Sequence, residues 1–276
     1  MRFFAACAVL AILFLLAGCS GDSEDAPPAG EGPAWNHDPG DTDLGPSAWG
    51  EIDESFEQCR TSDAQSPVDI AGAVPRDLPA LEFRYEETPL EVENTGHVIE
   101  VPMPEASANT LTIGDDEYRL VQFHFHAPSE HTLAGRSYEA EAHLVHESEE
   151  GELAVVGVLL EGGSPPSPLV ELVVENAPEA AGDRVELEER DPVELLLVRD
   201  PGSADTGGHF TYSGSLTTPG CTEGVRWLVL RDTLGISADA TARLHELASG
   251  FPGYDGYKNN NRPTQPLGDR VVERSD

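Results

Sequence analysis

The sequence predicts one mainly β domain with a few short helices, an α+β protein built on antiparallel strands. Between residues 81 and 125, short strand-like runs alternate with turn-forming residues, which is typical of antiparallel β proteins. Leu153–Leu160 is a continuous apolar run, which indicates a strand buried on both faces. After about residue 35 the chain shows no internal repeat and no second shift in composition, which favours a single domain.

The strands are predicted from period-two alternation and from apolar runs bounded by turn residues. In chain order they are Leu81–Tyr85, Leu90–Glu93, His97–Val101, Thr110–Ile113, Tyr118–Phe125, Glu141–His146, Leu153–Leu160 and Val225–Leu230.

Three segments predict short helices. Residues 45–59 indicate a turn followed by a short helix. Pro168–Glu175 has a helical pattern that opens with proline, a residue favoured in the first turn. Ser237–Ala248 is a third helix, because Ser237 can cap its first turn and Gly250 lies just past its end.

The N-terminal residues predict export. Arg2 precedes the apolar run Phe3–Leu16, which is the pattern of a secretory signal and is short for a membrane span. The following Leu16-Ala17-Gly18-Cys19 resembles the lipobox of bacterial lipoproteins, which implies removal of residues 1–18 and lipid attachment to Cys19. The alternative is ordinary signal cleavage nearby, with Cys19 incidental.

This interpretation divides the chain into a signal (1–18), an acidic tether (19–34) and a domain (35–276). The tether is rich in Gly, Pro, Ser, Asp and Glu and lacks apolar periodicity, which is typical of a disordered linker. We therefore expect an exported domain held at the cell envelope, on the periplasmic or cell-surface side, that contacts the membrane only through its lipid anchor.

The composition is strongly acidic. The chain has 51 Asp and Glu residues against 16 Lys and Arg, a formal net charge of −35. Such a surface repels nucleic acid and anionic lipid headgroups, so neither is an expected partner.

Cysteine usage predicts one disulfide. Cys7 leaves with the signal and Cys19 carries lipid, so Cys59 and Cys221 remain as a pair in an exported, oxidising setting. We expect these two cysteines to be bonded.

Candidate metal ligands lie in the segment Val121–His126. Apolar residues alternate there with Gln122, His124 and His126, so the two histidines share one strand face with Gln122. Taken alone, an H-x-H motif on an apolar strand is more often structural than metal-binding.

The strand-like run Glu141–His146 supplies a third candidate, His143. If the two strands are neighbours, His124, His126 and His143 converge. Three neutral imidazoles with an open fourth position are a catalytic Zn²⁺ arrangement, and carboxylate or amide groups such as Glu141 are the acceptors that such ligands need.

Several separated stretches resemble one family, the α-class carbonic anhydrases. Besides the histidine strands and Ser129–Thr132, the resemblance covers nearly the whole chain after the tether, in the family's order. The further matching stretches are Gly45-Pro46, Trp49, Gln65–Pro67, Gly96-His97, Tyr212–Pro219, Trp227, Asn260 and Arg262–Leu267. Cys59 and Cys221 also fall where bacterial members carry a disulfide.

The resemblance implies the fold and the activity. The expected fold is a large central, twisted and mostly antiparallel β-sheet with short peripheral helices and zinc at the base of a cone-shaped cavity. The expected reaction is the zinc-dependent, reversible hydration of CO2 to bicarbonate and a proton.

The resemblance also implies residue roles. His124, His126 and His143 would bind zinc, and Thr217 would accept a hydrogen bond from the zinc-bound hydroxide while donating to Glu130. His97 would be the proton shuttle. The groups that orient the ligands would be Gln122, Glu141 and the backbone carbonyl of Asn260. The CO2 pocket would be lined by Val145, Val155, Leu216, Val225 and Trp227, with Thr218 at its polar side.

Some positions depart from the family pattern or lack a role in it. Trp35-Asn36-His37 stands where the family usually has Trp-x-Tyr, and Thr95 and Glu100 replace frequent asparagines. We expected a carboxylate at Glu100 to raise the pKa of His97. We expect no catalytic role for the remaining histidines: His131 and His146 are predicted to be structural, and His37, His209 and His245 to be ordinary surface or local residues.

Two other functions fit the same residues less well. A non-catalytic binding module of this family usually lacks a zinc histidine, whereas all three are present here. A zinc hydrolase acting on esters would need a further general acid and a substrate cleft, and the sequence indicates neither.

Overall fold

In the computed structural model of the chain, residues 32–187 and 208–275 are described. The predicted signal and Cys19 lie outside them. The strands are β1 (Asp69–Ile70), β2 (Val74–Pro75), β3 (Leu81–Arg84), β4 (Glu91–Asn94), β5 (Ile99–Pro102), β6 (Thr110–Ile113), β7 (Asp116–His126), β8 (Thr132–Leu133), β9 (Ala140–Glu147), β10 (Leu153–Pro166), β11 (Arg184–Glu186), β12 (His209–Ser215), β13 (Glu223–Leu230), β14 (Leu234–Gly235) and β15 (Glu273–Arg274). The helices are α1 (Trp49–Ile52), α2 (Gln58–Thr61), α3 (Pro168–Glu175) and α4 (Ala238–Ser249), with a 3-10 turn at Glu54–Phe56.

Among the described residues, the strands form one large sheet of 13 strands and a small pair, β1 with β8. The main path of the large sheet runs β11-β4-β5-β7-β9-β10-β13-β12-β15-β2, with β14 beside β10, β6 beside β7 and β3 beside β6. Most neighbours are antiparallel, as predicted, but β10 is parallel to β13 and β14, and β15 is parallel to β2. The sheet is therefore mixed.

Some element boundaries agree with the sequence prediction and others do not: β10 continues to Pro166, past the predicted end at Leu160, and β12 was not predicted. Strand β6 and helix α3 have the predicted bounds, and Ser237 caps α4 by accepting from the N–H of Ala240. Strand β5 begins two residues later than predicted, because Thr95 N–H bonds the Val98 carbonyl at 3.0 Å and closes a turn. That turn contains His97, which therefore lies at the end of the strand.

Apolar residues pack on both faces of the sheet. On one face, Phe123 and Phe125 of β7 pack in a large cluster with helices α3 and α4. On the other, Val155 and Leu159 of β10 join a smaller cluster around Trp227. The alternate residues of β10 lie in the large cluster, which confirms that this strand is buried on both sides.

The predicted disulfide is confirmed. Cys59 and Cys221 are bonded across 162 residues of sequence, joining α2 to the loop between β12 and β13. Within residues 32–187 and 208–275, none of the helices has the length and apolar character needed to cross a membrane.

Candidate metal centre and active site

Strand register brings the three candidate ligands together. Antiparallel pairing of β7 with β9 places His124 opposite His143, and His126 lies one pleat further along β7 on the same face. One ligand atom from each histidine lies within 4.8 Å of those of the other two. The sequence predicted this convergence on the condition that the two strands are neighbours, and they are.

Each ligand histidine has one ring nitrogen engaged by the protein. His124 Nδ1 donates to Gln122 Oε1 at 2.8 Å, and His126 Nδ1 donates to the Asn260 carbonyl at 2.7 Å. His143 Nε2 donates to Glu141 Oε1 at 3.0 Å. These bonds select the other nitrogen of each ring for the cluster, and His126 Nε2 is buried without a hydrogen-bond partner among the described residues.

Burial keeps the three imidazoles neutral. Desolvation lowers the pKa of His124 well below its ordinary value, and the neighbouring His126 and His143 lower it further. Desolvation also lowers the pKa of His126 to about 4 and lowers that of His143. Neutral imidazoles with converging free nitrogens are the donor set that Zn²⁺ prefers in catalytic sites, so the residues present fit this ion.

Glu141 is held as an anion beside the cluster. Its Oε2 accepts the backbone N–H groups of Glu130 and His131 at 2.9 and 2.8 Å, and its Oε1 accepts from the His131 ring at 2.7 Å. Burial alone would raise the pKa of this carboxyl, but its interactions with His131 and His143 outweigh burial and hold the pKa well below its usual range.

Glu130 is a second buried carboxylate beside the cluster. Its Oε1 accepts the backbone N–H of Arg262 at 2.7 Å, and its Oε2 lies 3.9 Å from His143 Nδ1. Burial raises its pKa to about 7, an effect that His143, the Arg262 N–H and the Thr217 hydroxyl oppose. Thr217 is buried two residues past the end of β12, and its hydroxyl is near enough to this carboxylate to lower its pKa.

The residues predicted to form the CO2 pocket lie together on the sheet face that carries the histidines. Val155, Val225 and Trp227 are buried in the smaller cluster, and Val145 and Leu216 pack against it half-buried. The Trp227 ring centroid is 4.8 Å from that of His143. Thr218 is half-buried and its carbonyl accepts the N–H of Cys221.

His97 lies in the turn before β5, with its ring stacked on Trp35 at a centroid distance of 3.7 Å. Burial lowers its pKa to about 4. The expectation that Glu100 raises this pKa is wrong, because desolvation dominates. Glu100 lies on β5 opposite His124, and its own pKa is raised to about 7 by burial and by Glu93.

His37 was assigned no role by the sequence and is in fact fully buried beside the cluster. Its Nδ1 is bonded to the Tyr254 hydroxyl, its Nε2 is buried without a hydrogen-bond partner within the described part of the chain, and its ring is 6.3 Å from that of His126. Burial, followed by His126 and His97, holds its pKa well below the ordinary value. The signal that could have identified it is its place in Trp35-Asn36-His37, where the family pattern has tyrosine.

Comparison with known protein families identifies the family to which this chain belongs. The profile of the family described as eukaryotic-type carbonic anhydrase matches residues 44–276, so the chain belongs to this family of zinc enzymes. The assignment agrees with the three-histidine group, which is able to bind a metal ion.

Individual relatives show the same likeness. A carbonic anhydrase of Neisseria gonorrhoeae is 39% identical over 227 residues, covering 82% of this chain and 83% of that protein. A hyperthermostable carbonic anhydrase from a hydrothermal vent chimney superimposes with a TM-score of 0.77 at 34% identity, covering 88% of this chain and 100% of the other. The α-carbonic anhydrase of Thermovibrio ammonificans, solved in complex with the inhibitor sulfanilamide, superimposes with a TM-score of 0.76 at 35% identity. The match covers 89% of this chain and 100% of the other.

Proposed function

We propose that this protein catalyses the reversible hydration of CO2 to bicarbonate and a proton at the cell envelope, with zinc held by His124, His126 and His143. The observation that carries the proposal is the arrangement of the three rings. Each has one nitrogen bonded to a protein acceptor and the other directed into a common cluster. The three free nitrogens can bind one metal ion and leave its fourth coordination position open.

Bound zinc supplies a Lewis acid that lowers the pKa of water to near neutrality, for which carbonic anhydrase is itself the standard example. The protein's contribution is orientation. A threonine hydroxyl has one proton, so a Thr217 that donates to the ionised Glu130 can only accept from the attacking oxygen. This fixes the direction in which that oxygen presents its lone pair.

The substrate side of the site is apolar. CO2 carries no net charge, so the surface formed by Val155, Val225 and Trp227 can dock it without an unpaired polar group. We infer that Val145 and Leu216 complete this wall and that Thr218 supplies its polar edge.

We infer that the proton leaves by way of His97. A ring with a pKa of about 4, as in the position stacked on Trp35, is a weak proton acceptor at neutral pH. Release of the ring into solvent would return its pKa toward 6.5, the range in which histidine relays protons.

The test is stopped-flow CO2 hydration by the zinc-loaded protein, after chelation, and after zinc is restored. We expect rapid hydration that chelation abolishes and zinc restores, and that sulfanilamide inhibits, as its presence in the Thermovibrio ammonificans enzyme suggests. A full equivalent of bound zinc without hydration would instead favour a non-catalytic binding module.

We further propose that residues 1–18 are a signal, that Cys19 carries lipid, that 19–34 form a tether and that 35–276 form the enzyme domain. The Leu16–Cys19 sequence supports lipidation, and the Cys59–Cys221 disulfide suits an oxidising compartment. Labelling cells with a radioactive fatty acid tests this, since Cys19→Ser should lose both the label and the membrane association. Retention of both by the variant would refute the anchor.

A further inference from the structure

Arg262 is a buried arginine in the matched stretch Arg262–Leu267, and the mechanism above gives its side chain no role. Only 1% of the residue is exposed. Its Nη1 donates to Gln65 Oε1 and to the Ser66 carbonyl, both at 2.8 Å, and its guanidinium lies 5.3 Å from the centre of the Trp49 ring. Burial lowers its pKa to about 10, so it stays charged at neutral pH.

The backbone of the same residue contacts the catalytic centre. Its N–H donates to Glu130 Oε1 at 2.7 Å, a bond that is stronger when the carboxylate is ionised. Arg262 thus joins two parts of the molecule, because its side chain is fixed to residues 65–66 and its main chain holds the acceptor of Thr217.

The other end of this connection also returns to the catalytic loop. Gln65 Nε2 donates to the Cys221 carbonyl at 3.0 Å, and the Cys221 N–H donates to the Thr218 carbonyl at 2.9 Å. Arg262 therefore contacts Glu130 directly and is linked to the loop of Thr217 through Gln65 and the backbone of Cys221. Glu130 and the loop of Thr217 are thus both connected to Arg262.

We propose that Arg262 is a positioning residue for the hydration reaction, and this inference rests on the proposed function. Its guanidinium fixes the segment around residue 262, so that the backbone N–H stays on Glu130 and the carboxylate stays aimed at Thr217. Lysine cannot reproduce these contacts, because Nη1 bonds Gln65 and Ser66 while Nη2 reaches the Cys59 carbonyl at 3.5 Å, and an ammonium has only one nitrogen.

Zinc binding is not expected to depend on this side chain. Asn260, which holds His126, has its own anchors: its Nδ2 donates to the carbonyls of Phe125 and His97, both at 3.1 Å, and its backbone N–H donates to Ala127. The effect of Arg262 should therefore appear in turnover and not in metal content.

The experiment is a double-mutant cycle on kcat/KM for CO2 hydration. Arg262→Lys and Arg262→Met are each measured in the natural protein and in a Glu130→Gln background. We expect Arg262→Lys to lower kcat/KM about tenfold at unchanged zinc content, and less than about twofold when Glu130 is already replaced, because residues that act through each other are not additive.

The matched control is Arg270→Lys. Arg270 also bonds backbone carbonyls, including that of Gln65 at 2.8 Å, but makes no contact with Glu130. It should lose stability comparably while keeping kcat/KM within about twofold. An equal loss of kcat/KM from Arg262→Lys in both backgrounds, or no loss at all, would overturn the proposal.

A second readout does not require activity. Hydrogen exchange of the amide of residue 262 should speed up at least about tenfold in Arg262→Lys relative to the amides of strand β7, because the segment that carries this amide is no longer fixed. Unchanged protection of this amide would also overturn the positioning role. If the natural protein with zinc fails to hydrate CO2, the proposed function fails while the exchange experiment still decides whether the guanidinium holds this bond.

Discussion

Strand β9 carries two buried histidines three residues apart, and they differ in what their rings bond. His143 donates Nε2–H to Glu141 and leaves Nδ1 for the cluster with His124 and His126. His146, on the other face of the strand, has both nitrogens engaged, Nε2 with the Tyr85 hydroxyl at 2.5 Å and Nδ1 with the Ala154 carbonyl at 3.2 Å. Both are essentially inaccessible to solvent.

The difference shows what separates a metal ligand from a structural histidine in this fold. Burial and residue type are the same, so the difference is that His143 keeps a free nitrogen that converges with those of two other histidines, whereas His146 has none. A free nitrogen alone is not sufficient, because the buried Nε2 of His37 also lacks a partner among the described residues. His131 supports the rule, because its ring bonds Glu141 and the Tyr212 hydroxyl, each at 2.7 Å, although it lies next to the cluster. These bonds agree with the expectation that the rings of His131 and His146 are structural.

The largest expected effect separates these two histidines. His143→Ala should lower bound zinc from one equivalent to nearly none and bring CO2 hydration close to the uncatalysed rate, because two imidazoles do not make a stable site for the ion. His146→Gln should keep a full equivalent and most of the activity. Metal analysis and stopped-flow kinetics of the two variants check this, and loss of zinc from both would break the comparison.

A smaller effect is expected from the acceptors behind the ligands. Gln122→Ala removes the group that bonds His124 Nδ1, so the ring loses its fixed orientation but not its ligating nitrogen. We expect zinc affinity to fall roughly 10–100-fold while one equivalent still binds at saturation. Competition with a chelator measures this affinity. An unchanged affinity would show that Gln122 is not needed to orient the ring.

The smallest effect concerns stability in acid and tests His146, whose two ring nitrogens are both hydrogen-bonded. Burial lowers the pKa of His146 to about 4 from an unfolded value of 6.5, so the unfolded chain binds the proton first as the pH falls. Above pH 6.5 the His146 ring is neutral in both the folded and the unfolded chain, so it costs no stability. Below pH 6.5 protonation favours the unfolded chain, and the free energy of unfolding falls progressively until the pH approaches 4. Between pH 7 and pH 5 the loss should be about 2 kcal/mol.

The measurement for this prediction is urea unfolding of the natural protein and His146→Gln at both pH values. Any loss of zinc at low pH is common to the two proteins and cancels in the comparison. The variant should lose about 2 kcal/mol less between pH 7 and pH 5. Equal losses would mean that His146 does not titrate as its burial requires.

Local pattern was sufficient for much of this structure. Period-two alternation placed His124 and His126 on one face, and capping by Ser237 located the start of α4. Apolar continuity predicted the burial of β10 on both faces. These features depend on neighbours in sequence, which is why a single sequence shows them.

Features that depend on distant contacts were not visible in this way. The register that places His143 opposite His124 includes an irregularity between Leu120 and Gln122, and no spacing in the sequence predicts it. The burial of His37 depends on Tyr254, 217 residues away. The low pKa of His97 is set by desolvation and not by Glu100, the neighbour that the sequence suggested.

The most direct test of the account is a crystal structure of the zinc-loaded protein with anomalous diffraction at the zinc edge. The account predicts one strong peak about 2.0–2.1 Å from the free nitrogens of His124, His126 and His143, with no other protein ligand. A peak bound to His37, Glu130 or His131 would contradict the assignment, as would a protein that binds zinc only elsewhere.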